Sequence, residues 1–246
     1  MNVIKLGGSL LDDPARRAEA LSAIAAQWKS GREVVLVHGG GKHVDANLKR
    51  LGIPKRTYAG LRITDDETLD VVVATLAGSV NKMLVAELSA MGVLVAGISG
   101  CDASTLVAEQ HPPIDGVDLG HVGRVTAGDP TLVRALVTSG ILPVISSIAE
   151  GPDGVLLNVN ADTAAAAIAI AVVAEELIFI TDVAGLLDAT GNVVAELCAT
   201  DAEALLGTEV VTGGMRPKLQ AALHALGSGV RRITIGEEGG TQLIAA

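Results

Sequence analysis

The chain has very few aromatic residues: its 246 residues include one tryptophan, one tyrosine and one phenylalanine. Trp28, Tyr58 and Phe179 are too few to build a surface that stacks nucleic-acid bases, or the aromatic belt of a membrane protein. Basic residues are also in deficit, because 18 Lys and Arg stand against 28 Asp and Glu, a net charge of −10. This balance argues against nucleic acid or an anionic membrane as a partner.

Cysteines and long apolar runs are scarce as well. Cys101 and Cys198 stand far apart without a C-x-x-C pattern, which is typical of thiols in a reducing compartment. The longest apolar segment, Ala164–Ala174, is too short to span a bilayer, and the first residues carry no leader pattern. We therefore expect a cytoplasmic protein with no membrane contact.

Short apolar, β-branched runs alternate with longer segments of helical period. The runs are Val3–Leu6, Val34–Val37, Val93–Ile98, Ile141–Ile145, Leu177–Ile180 and Arg232–Ile235. This alternation predicts an α/β fold with a mostly parallel sheet covered by helices. Most of the runs are followed directly by small polar residues or glycine, so we expect a ligand crevice at the carboxyl ends of the strands.

Three longer segments between the strands also have predicted structures. Residues 65–91 form a predicted helix that opens with a capping box, Thr64-x-x-Glu67, and carries a wide apolar stripe. That stripe packs in the core or forms a homodimer seam. Residues 100–126 are predicted to form a hairpin or lid, and Ala161–Ala174 a helix that follows a turn.

Glycine clusters occupy residues 5–9, 38–42 and 212–218, each beside a predicted strand end or helix start. Glycines between a strand and a helix leave backbone N–H groups free to face an anion, and the helix N-terminus adds positive potential. With lysines close by, these clusters favour a polyphosphate ligand. The two standard nucleotide loops are absent, because Leu36 and His43 break a Walker A motif and Val44 breaks a Rossmann fingerprint.

Side-chain chemistry concentrates in two further segments. Asn158-Val-Asn160-Ala-Asp162 has more polar groups than the helix cap predicted at Asn160 requires, and Asp162 could hold lysine ammonium groups by charge-assisted hydrogen bonds. Arg62 is either a bidentate clamp on a substrate carboxylate or a solvated arginine. Most of the five histidines are predicted to be loop or surface residues, because they lack zinc-site spacing. Ser79-x-x-Lys82 lies within the long predicted helix and is not taken as catalytic.

Six segments occur together in one order: Lys5-Leu-Gly-Gly, Val37-His-Gly-Gly-Gly, Gly60-Leu-Arg-Ile-Thr, Asn158-Val-Asn-Ala-Asp, Thr181-Asp-Val-Ala-Gly-Leu-Leu and Gly213-Gly-Met-x-Pro-Lys. In this order the chain resembles the amino acid kinase superfamily, and within it the N-acetylglutamate kinase family, from Val3 to about Ile235. The resemblance implies ATP-dependent phosphorylation of the side-chain carboxylate of N-acetyl-L-glutamate, the second step of arginine biosynthesis. It also implies a three-layer αβα sandwich with a mainly parallel sheet of about eight strands.

The resemblance further implies two lobes on one continuous sheet. Residues 1–165 would bind the amino-acid substrate and form a homodimer, and residues 166–246 would bind ATP with Mg²⁺ carried by the nucleotide. The implied catalytic residues are Lys5 and Lys218, which stabilise the transferring phosphoryl group, Asp162, which orients both lysines, and Gly8 and Gly40, which donate backbone N–H groups. The implied substrate-binding residues are Gly40, Gly41, Arg62 and Asn158. The implied nucleotide-binding residues are Asp182, Val183, Ala184, Gly185, Leu186, Leu187, Val210, Val211 and Thr212.

Departures from the family pattern leave alternatives open. Only Met1 and Asn2 precede the first predicted strand, which resembles the short, arginine-insensitive form of these kinases. Gly100-Cys-Asp-Ala-Ser104 replaces the Asp-Gly loop of many relatives, so the lid over the acyl group is expected to differ. One alternative is the related kinase of lysine biosynthesis, which acts on aminoadipate or glutamate tethered to a carrier protein. Another is a catalytically silent sensor of nucleotide or amino acid.

Overall fold

A computed structural model describes residues 1–181, 184–188, 191–207, 213–236 and 240–244. The strands in this part of the chain are β1 (Asn2–Leu6), β2 (Val34–His38), β3 (Thr57–Tyr58), β4 (Leu61–Arg62), β5 (Val95–Ser99), β6 (Val107–Gln110), β7 (Gly123–Ala127), β8 (Leu142–Ser146), β9 (Ile148–Glu150), β10 (Leu156–Asn158), β11 (Glu176–Ile180), β12 (Glu196–Cys198), β13 (Arg232–Ile235) and β14 (Thr241–Ile244). The helices are α1 (Ser9–Asp12), α2 (Pro14–Lys29), α3 (Gly41–Leu51), α4 (Asp66–Val73), α5 (Asn81–Ala90), α6 (Thr131–Thr138), α7 (Ala161–Ala171), α8 (Ala199–Leu206) and α9 (Met215–Gly227).

Eight strands form the central sheet, in the order β12-β14-β13-β11-β1-β2-β8-β5. The six strands from β13 to β5 are parallel to one another, and β14 pairs antiparallel to β13. The predicted strands are therefore all present, with ends within two residues of those expected. Because the parallel strands share a direction, their carboxyl ends bring the loops after Leu6, His38, Ser146 and Ile180 to one edge of the sheet.

Side chains that alternate along the strands divide the core between two faces of this sheet. Val3 and Val35 face a cluster that includes α7 and α9, whereas Ile4 and Leu36 face a second cluster with α2 and α5. Both faces of the sheet are buried, as expected for parallel strands in which most residues are apolar. The arrangement is the αβα sandwich that the sequence resemblance implies.

Smaller sheets cover the carboxyl edge of the central sheet. A four-stranded sheet has the order β10-β9-β6-β7, and β3 and β4 form a two-stranded ribbon. Antiparallel pairing of β6 with β7 confirms a hairpin within the segment 100–126. Asn158, at the end of β10, and Arg62, in β4, are thereby carried to the same edge as the glycine loops.

The long helix predicted over residues 65–91 is continuous but not uniform. A π-helical segment, Ala74–Val80, separates α4 from α5. The predicted capping box is wrong in detail, because Asp65 caps α4 with its side chain, which accepts a hydrogen bond from the Thr68 N–H at 2.9 Å. Thr64 instead donates its hydroxyl to the Arg62 carbonyl.

The same helical stretch, residues 66–90, is long and apolar enough by length and composition to cross a membrane. Uninterrupted apolar runs do not reveal it, because charged residues such as Asp70 and Lys82 are interspersed. In the folded chain, Val80, Leu84 and Leu88 pack into the core beside β2 and β8. Leu69 and Val73 are only half-buried, so part of its apolar surface stays open.

Candidate active site

A cleft of about 230 Å³ lies at the carboxyl edge of the central sheet. Its lining includes Lys5, Gly7, Gly8, Gly39, Gly40, Gly41, Val44, Arg62, Val72, Leu76, Ser147, Asn158, Val159, Asn160, Ala161 and Asp162. A larger cavity of about 620 Å³ lies at the opposite ends of the strands and contains none of the predicted site residues. The topology therefore brings the glycine loops, the arginine and the asparagine segment into one place, as their positions after strands predict.

Three charged side chains meet beside this cleft and are almost completely buried. Asp162 lies in the first turn of α7, Lys5 in β1 and Lys218 in the first turn of α9. One oxygen of Asp162, Oδ1, lies 2.9 Å from the Lys5 Nζ and 3.0 Å from the Lys218 Nζ. The predicted arrangement, with one carboxylate holding both lysines, is the observed geometry.

The two lysines of this triad set the charge state of Asp162. Burial acts to raise the pKa of Asp162, but the charges of Lys5 and Lys218 outweigh that effect and hold the pKa below its ordinary value. The carboxylate is therefore ionised at neutral pH, and its Oδ1 contacts both ammonium groups. Lys218 also lies over the ring of Phe179, with its Nζ 5.1 Å from the ring centroid, a favourable cation–π contact.

Backbone donors lie beside the triad in the two glycine loops. Gly8, with a φ of +62°, precedes α1, and Gly40, with a φ of +152°, precedes α3. Within the residues that the structure describes, no acceptor is hydrogen-bonded to the N–H of either glycine. A Cβ atom at Gly40 would lie 2.9 Å from the Leu76 Cδ2, so a side chain at this position would press on Leu76. Both N–H groups remain available to an anion.

A second part of the cleft wall carries Arg62, which lies in β4. Its Nη2 donates to the Gly41 carbonyl at 3.2 Å and to the Asp45 carboxylate at 2.5 Å. Its Nη1 is buried and has no hydrogen-bond partner among the described residues. Asn158 donates its amide to the Thr64 hydroxyl at 3.2 Å. Because a buried guanidinium nitrogen without a partner is costly, the geometry favours a clamp that a carboxylate completes over a solvated arginine.

Asn160 has the capping role that the sequence predicts. Its side-chain oxygen accepts hydrogen bonds from the N–H groups of Asp162 at 2.8 Å and Thr163 at 3.2 Å. The cap fixes the start of α7 and so the position of Asp162.

The predicted nucleotide-binding residues lie only partly within the described chain. Asp182, Val183, Val210, Val211 and Thr212 fall outside the described residues. Ala184, Gly185, Leu186 and Leu187 follow β11, the strand next to β1, and do not line the cleft with Lys5. The N–H of Leu186 donates to the buried Thr241 hydroxyl at 2.8 Å, and a Cβ atom at Gly236 would lie 2.1 Å from the Ala184 carbonyl oxygen.

Sequence reasoning missed two sets of residues. Val44, Val72 and Leu76 form an apolar side of the cleft, and their only sequence signal is a place in apolar helical stripes. His38 is the second case: most of the five histidines are predicted to be loop or surface residues, but His38 is completely buried, and burial lowers its pKa to about 4. The sequence signal that could have found it is its position as the last residue of a strand whose other residues are all apolar.

The sequence and the fold both place the chain among known proteins. The profile of the amino acid kinase family matches residues 1–237, and the chain belongs to that family. The acetylglutamate kinase of Solibacter usitatus is 42% identical over 258 residues, covering 99% of each chain. That of Methanopyrus kandleri is 44% identical over 241 residues, covering 96% of this chain and 94% of the other.

Solved structures agree with this placement. A protein from Streptococcus mutans UA159 superposes with a TM-score of 0.89 at 28% identity, covering 99% of this chain and 98% of the other. The N-acetylglutamate synthase of Neisseria gonorrhoeae, solved with coenzyme A and N-acetyl-glutamate, gives a TM-score of 0.86 at 23% identity. It covers 99% of this chain and 59% of the synthase, and at that identity it supports the fold alone.

Proposed function

We propose that this chain is an ATP-dependent kinase that phosphorylates the side-chain carboxylate of N-acetyl-L-glutamate in arginine biosynthesis. The observation that carries this function is the buried Lys5–Asp162–Lys218 triad facing the same cleft as a half-paired Arg62. Acetylglutamate kinases that match almost the whole chain support the choice of substrate.

The reaction joins two anions, so positioning and charge neutralisation must supply most of the rate. A carboxylate is already ionised at pH 7, and no general base is needed to activate it as a nucleophile. Lys5 and Lys218 supply the positive charge that the transferring phosphoryl group needs, while Asp162 keeps their ammonium groups together. The N–H groups of Gly8 and Gly40 add neutral donors that cost no reorganisation during the reaction.

The acceptor would bind across the cleft from the triad. Arg62 would take the α-carboxylate with its unpaired Nη1, and Asn158 and Gly41 would contact the rest of the acyl amino acid. Val72 and Leu76 provide apolar contacts for the methylene groups. This orientation points the side-chain carboxylate toward Lys5.

ATP would approach from the loop after β11, where Ala184 to Leu187 lie. No group of three or more His, Cys, Asp and Glu side chains within the described residues forms a metal site. The lysines and N–H groups beside the cleft are suited to phosphate oxygens, and Mg²⁺ would arrive bound to the nucleotide. The ion would neutralise part of the phosphate charge when bound.

The assembly and the location belong to the same proposal. The half-exposed apolar residues of the stretch 66–90, including Leu69, Val73 and Met83, support a homodimer that covers them. Sedimentation at micromolar concentration should give about twice the 24.9 kDa of one chain, and a single-chain mass would contradict the dimer. A biosynthetic kinase of this family would work in the cytoplasm, with residues 1–165 and 166–246 as its acceptor and nucleotide lobes.

Acyl-phosphate formation tests the activity directly. ATP-dependent product is trapped with hydroxylamine, using N-acetyl-L-glutamate beside glutamate, aspartate and N-acetylaminoadipate, with Lys218→Ala as the blank. We expect hydroxamate only from N-acetyl-L-glutamate, and none from the blank. No product from any free amino acid, in a protein that still binds ATP, would contradict the proposal and favour the carrier-linked kinase or the silent sensor.

A further inference from the structure

His38 is a completely buried histidine directly before the glycine loop of the cleft, and the proposed reaction assigns it no role. Its Nδ1 lies 2.9 Å from the carbonyl oxygen of Gly39. Its Nε2 lies 3.1 Å from the Nδ2 of Asn81, a residue that is also fully buried at the start of α5. The ring therefore connects a core amide to the first peptide of the loop.

The orientation of the Asn81 amide follows from its neighbours. Lys82, whose ammonium group only donates, places its Nζ 3.1 Å from the Asn81 Oδ1 and 2.9 Å from the Gly97 carbonyl. The two hydrogens of Nδ2 on the other side are shared among three acceptors, the carbonyls of Ile98 and Val144, at 3.1 and 3.0 Å, and the His38 Nε2. The amide oxygen thus faces Lys82, and the amide nitrogen faces His38.

This orientation selects one form of the His38 ring. Because the Asn81 Nδ2 only donates, the His38 Nε2 must accept, and the ring proton lies on Nδ1. Nδ1–H then donates to the Gly39 carbonyl. Burial lowers the pKa of His38 to about 4, so the imidazole is neutral at physiological pH.

The peptide between Gly39 and Gly40 transmits this bond to the cleft. The chain has no cis peptide among its described residues, so the Gly39 C=O and the Gly40 N–H point to opposite sides of the peptide. A carbonyl held toward the buried His38 ring turns the Gly40 N–H away from the core, toward the cleft that Gly40 lines. A hydrogen bond to the carbonyl also polarises the peptide and strengthens its N–H as a donor.

We propose that His38, held in one tautomer by Asn81, is a positioning residue that aims the Gly40 N–H at the transferring phosphoryl group. This inference rests on the proposed kinase function. It adds to the triad a neutral, buried network of side chains that fixes one of the two backbone donors.

Two variants separate the two sides of the ring. In His38→Asn the amide nitrogen replaces Nδ1 and still donates to the Gly39 carbonyl. In His38→Gln the amide oxygen replaces Nε2, keeps the bond from Asn81 and loses the donor to Gly39. We expect kcat to fall about 10- to 100-fold in His38→Gln. This is the range found when a group that orients a metal ligand is removed, and His38 orients a backbone donor in a comparable way. We expect His38→Asn to stay within about threefold of the parent, and KM values for both substrates to change little.

Asn47→Ala is the matched control, because Asn47 donates to the Thr75 hydroxyl in a similar part-buried bond that does not reach the loop. It should lower the melting temperature without lowering kcat. Equal kcat values in the two His38 variants, whether high or low, would overturn the proposal. Absence of activity in the parent protein would instead contradict the kinase function itself.

Nitrogen-15 NMR of the parent protein reads the tautomer of His38 directly, without using activity as the readout. The His38 signals, assigned by their loss in His38→Asn, should show a protonated Nδ1 and an unprotonated Nε2 at pH 7. Asn81→Ala should mix the two tautomers and lower kcat by less than His38→Gln. A proton found on Nε2 in the parent protein would refute the proposal.

Discussion

The two walls of the cleft handle their charges in opposite ways. On the wall formed by β1, α7 and α9, both lysine ammonium groups are held by Asp162 at about 3 Å, and all three side chains are buried. On the second wall, which carries Arg62, the guanidinium is paired through Nη2, and its buried Nη1 has no partner in the described chain. The charged side chains of the first wall are paired with one another, whereas the second wall has a buried nitrogen without a partner among the described residues.

This difference matches what each wall must do in the proposed reaction. The phosphoryl group acquires its transition-state charge only briefly, so the lysines that meet it must already be in place. A stable substrate can itself supply the missing partner of Arg62. Binding then removes the desolvation penalty of an unpaired buried nitrogen, which favours the complex. The comparison predicts that damage to the first wall lowers stability or kcat, and that damage to the second raises KM.

The largest expected effect is on stability and comes from the shared carboxylate. Asp162→Ala removes the carboxylate that two buried ammonium groups share, and breaking a buried pair in this way costs about 3–5 kcal/mol. Urea denaturation should show a loss of this size in the free energy of unfolding. Asp70→Ala, on the exposed side of α4, is the control and should change it by less than 0.5 kcal/mol or so. A similarly small loss for Asp162→Ala would contradict the view that the carboxylate holds this wall together.

The next effect is catalytic. Lys5→Met and Lys218→Met keep most of the side-chain volume but remove one cation from the phosphoryl site. Loss of one such donor costs about 3 kcal/mol in the transition state, so kcat should fall at least about 100-fold while the KM for N-acetyl-L-glutamate changes little. Steady-state kinetics checks this, with Lys29→Met, whose Nζ contacts the exposed carbonyl of Met91, as the control. Lysine variants within tenfold of the parent would count against a direct role.

Changes to the second wall, at Arg62, should alter the KM for N-acetyl-L-glutamate. Arg62→Ala removes a charge-assisted bond to the α-carboxylate, which is worth about 1.5–3 kcal/mol, so KM for N-acetyl-L-glutamate should rise about 10- to 100-fold. The α-amide of the substrate should be bound equally poorly by the parent and the variant, because it lacks the carboxylate. The exposed arginine Arg56, paired with Asp65, provides the control Arg56→Ala. A fall in kcat alone would show that Arg62 acts on the reacting group instead.

The sequence predicts much of the fold and part of the site. The strands were predictable because β-branched runs at Val3, Val34 and Leu177 alternate with helical periods. The family resemblance implies that Asp162 orients both Lys5 and Lys218. Local sequence patterns alone do not predict these contacts, because Asp162 and Lys218 are 56 positions apart and the fold sets their separation.

Local choices between similar residues were less predictable. Thr64 and Asp65 are both good capping residues, and the ribbon of β3 and β4 uses Thr64 elsewhere, so Asp65 became the cap. The partner of His38 lies 43 residues away in Asn81, beyond any local pattern. The division into lobes at residue 165 stays a prediction, since α7 runs through that position without a break.

The smallest expected effect is a pH dependence of the free energy of unfolding that comes from His38. Unlike the paired charges of the triad, this buried imidazole has no counter-charge. The pKa of His38 is lowered to about 4, against about 6.5 in an unfolded chain, so the unfolded chain takes up the proton first as pH falls. The stability that neutral His38 contributes is therefore complete above about pH 6.5 and declines as pH falls toward 4. Asp162, whose pKa is lowered from its ordinary value, loses its contribution only at lower pH, below about 4.

The two pH windows do not overlap, so a modest pH change tests the imidazole alone. Between pH 7 and 5.5, His38 should reduce the free energy of unfolding by about 1 kcal/mol. Urea denaturation of the parent and of His38→Asn at both pH values gives the change in the free energy of unfolding with pH for each protein. The difference between these two changes isolates His38, because the contribution of the other four histidines cancels. Parallel pH profiles for the two proteins would mean that the ring is not held neutral, and that the buried network does not need an uncharged His38.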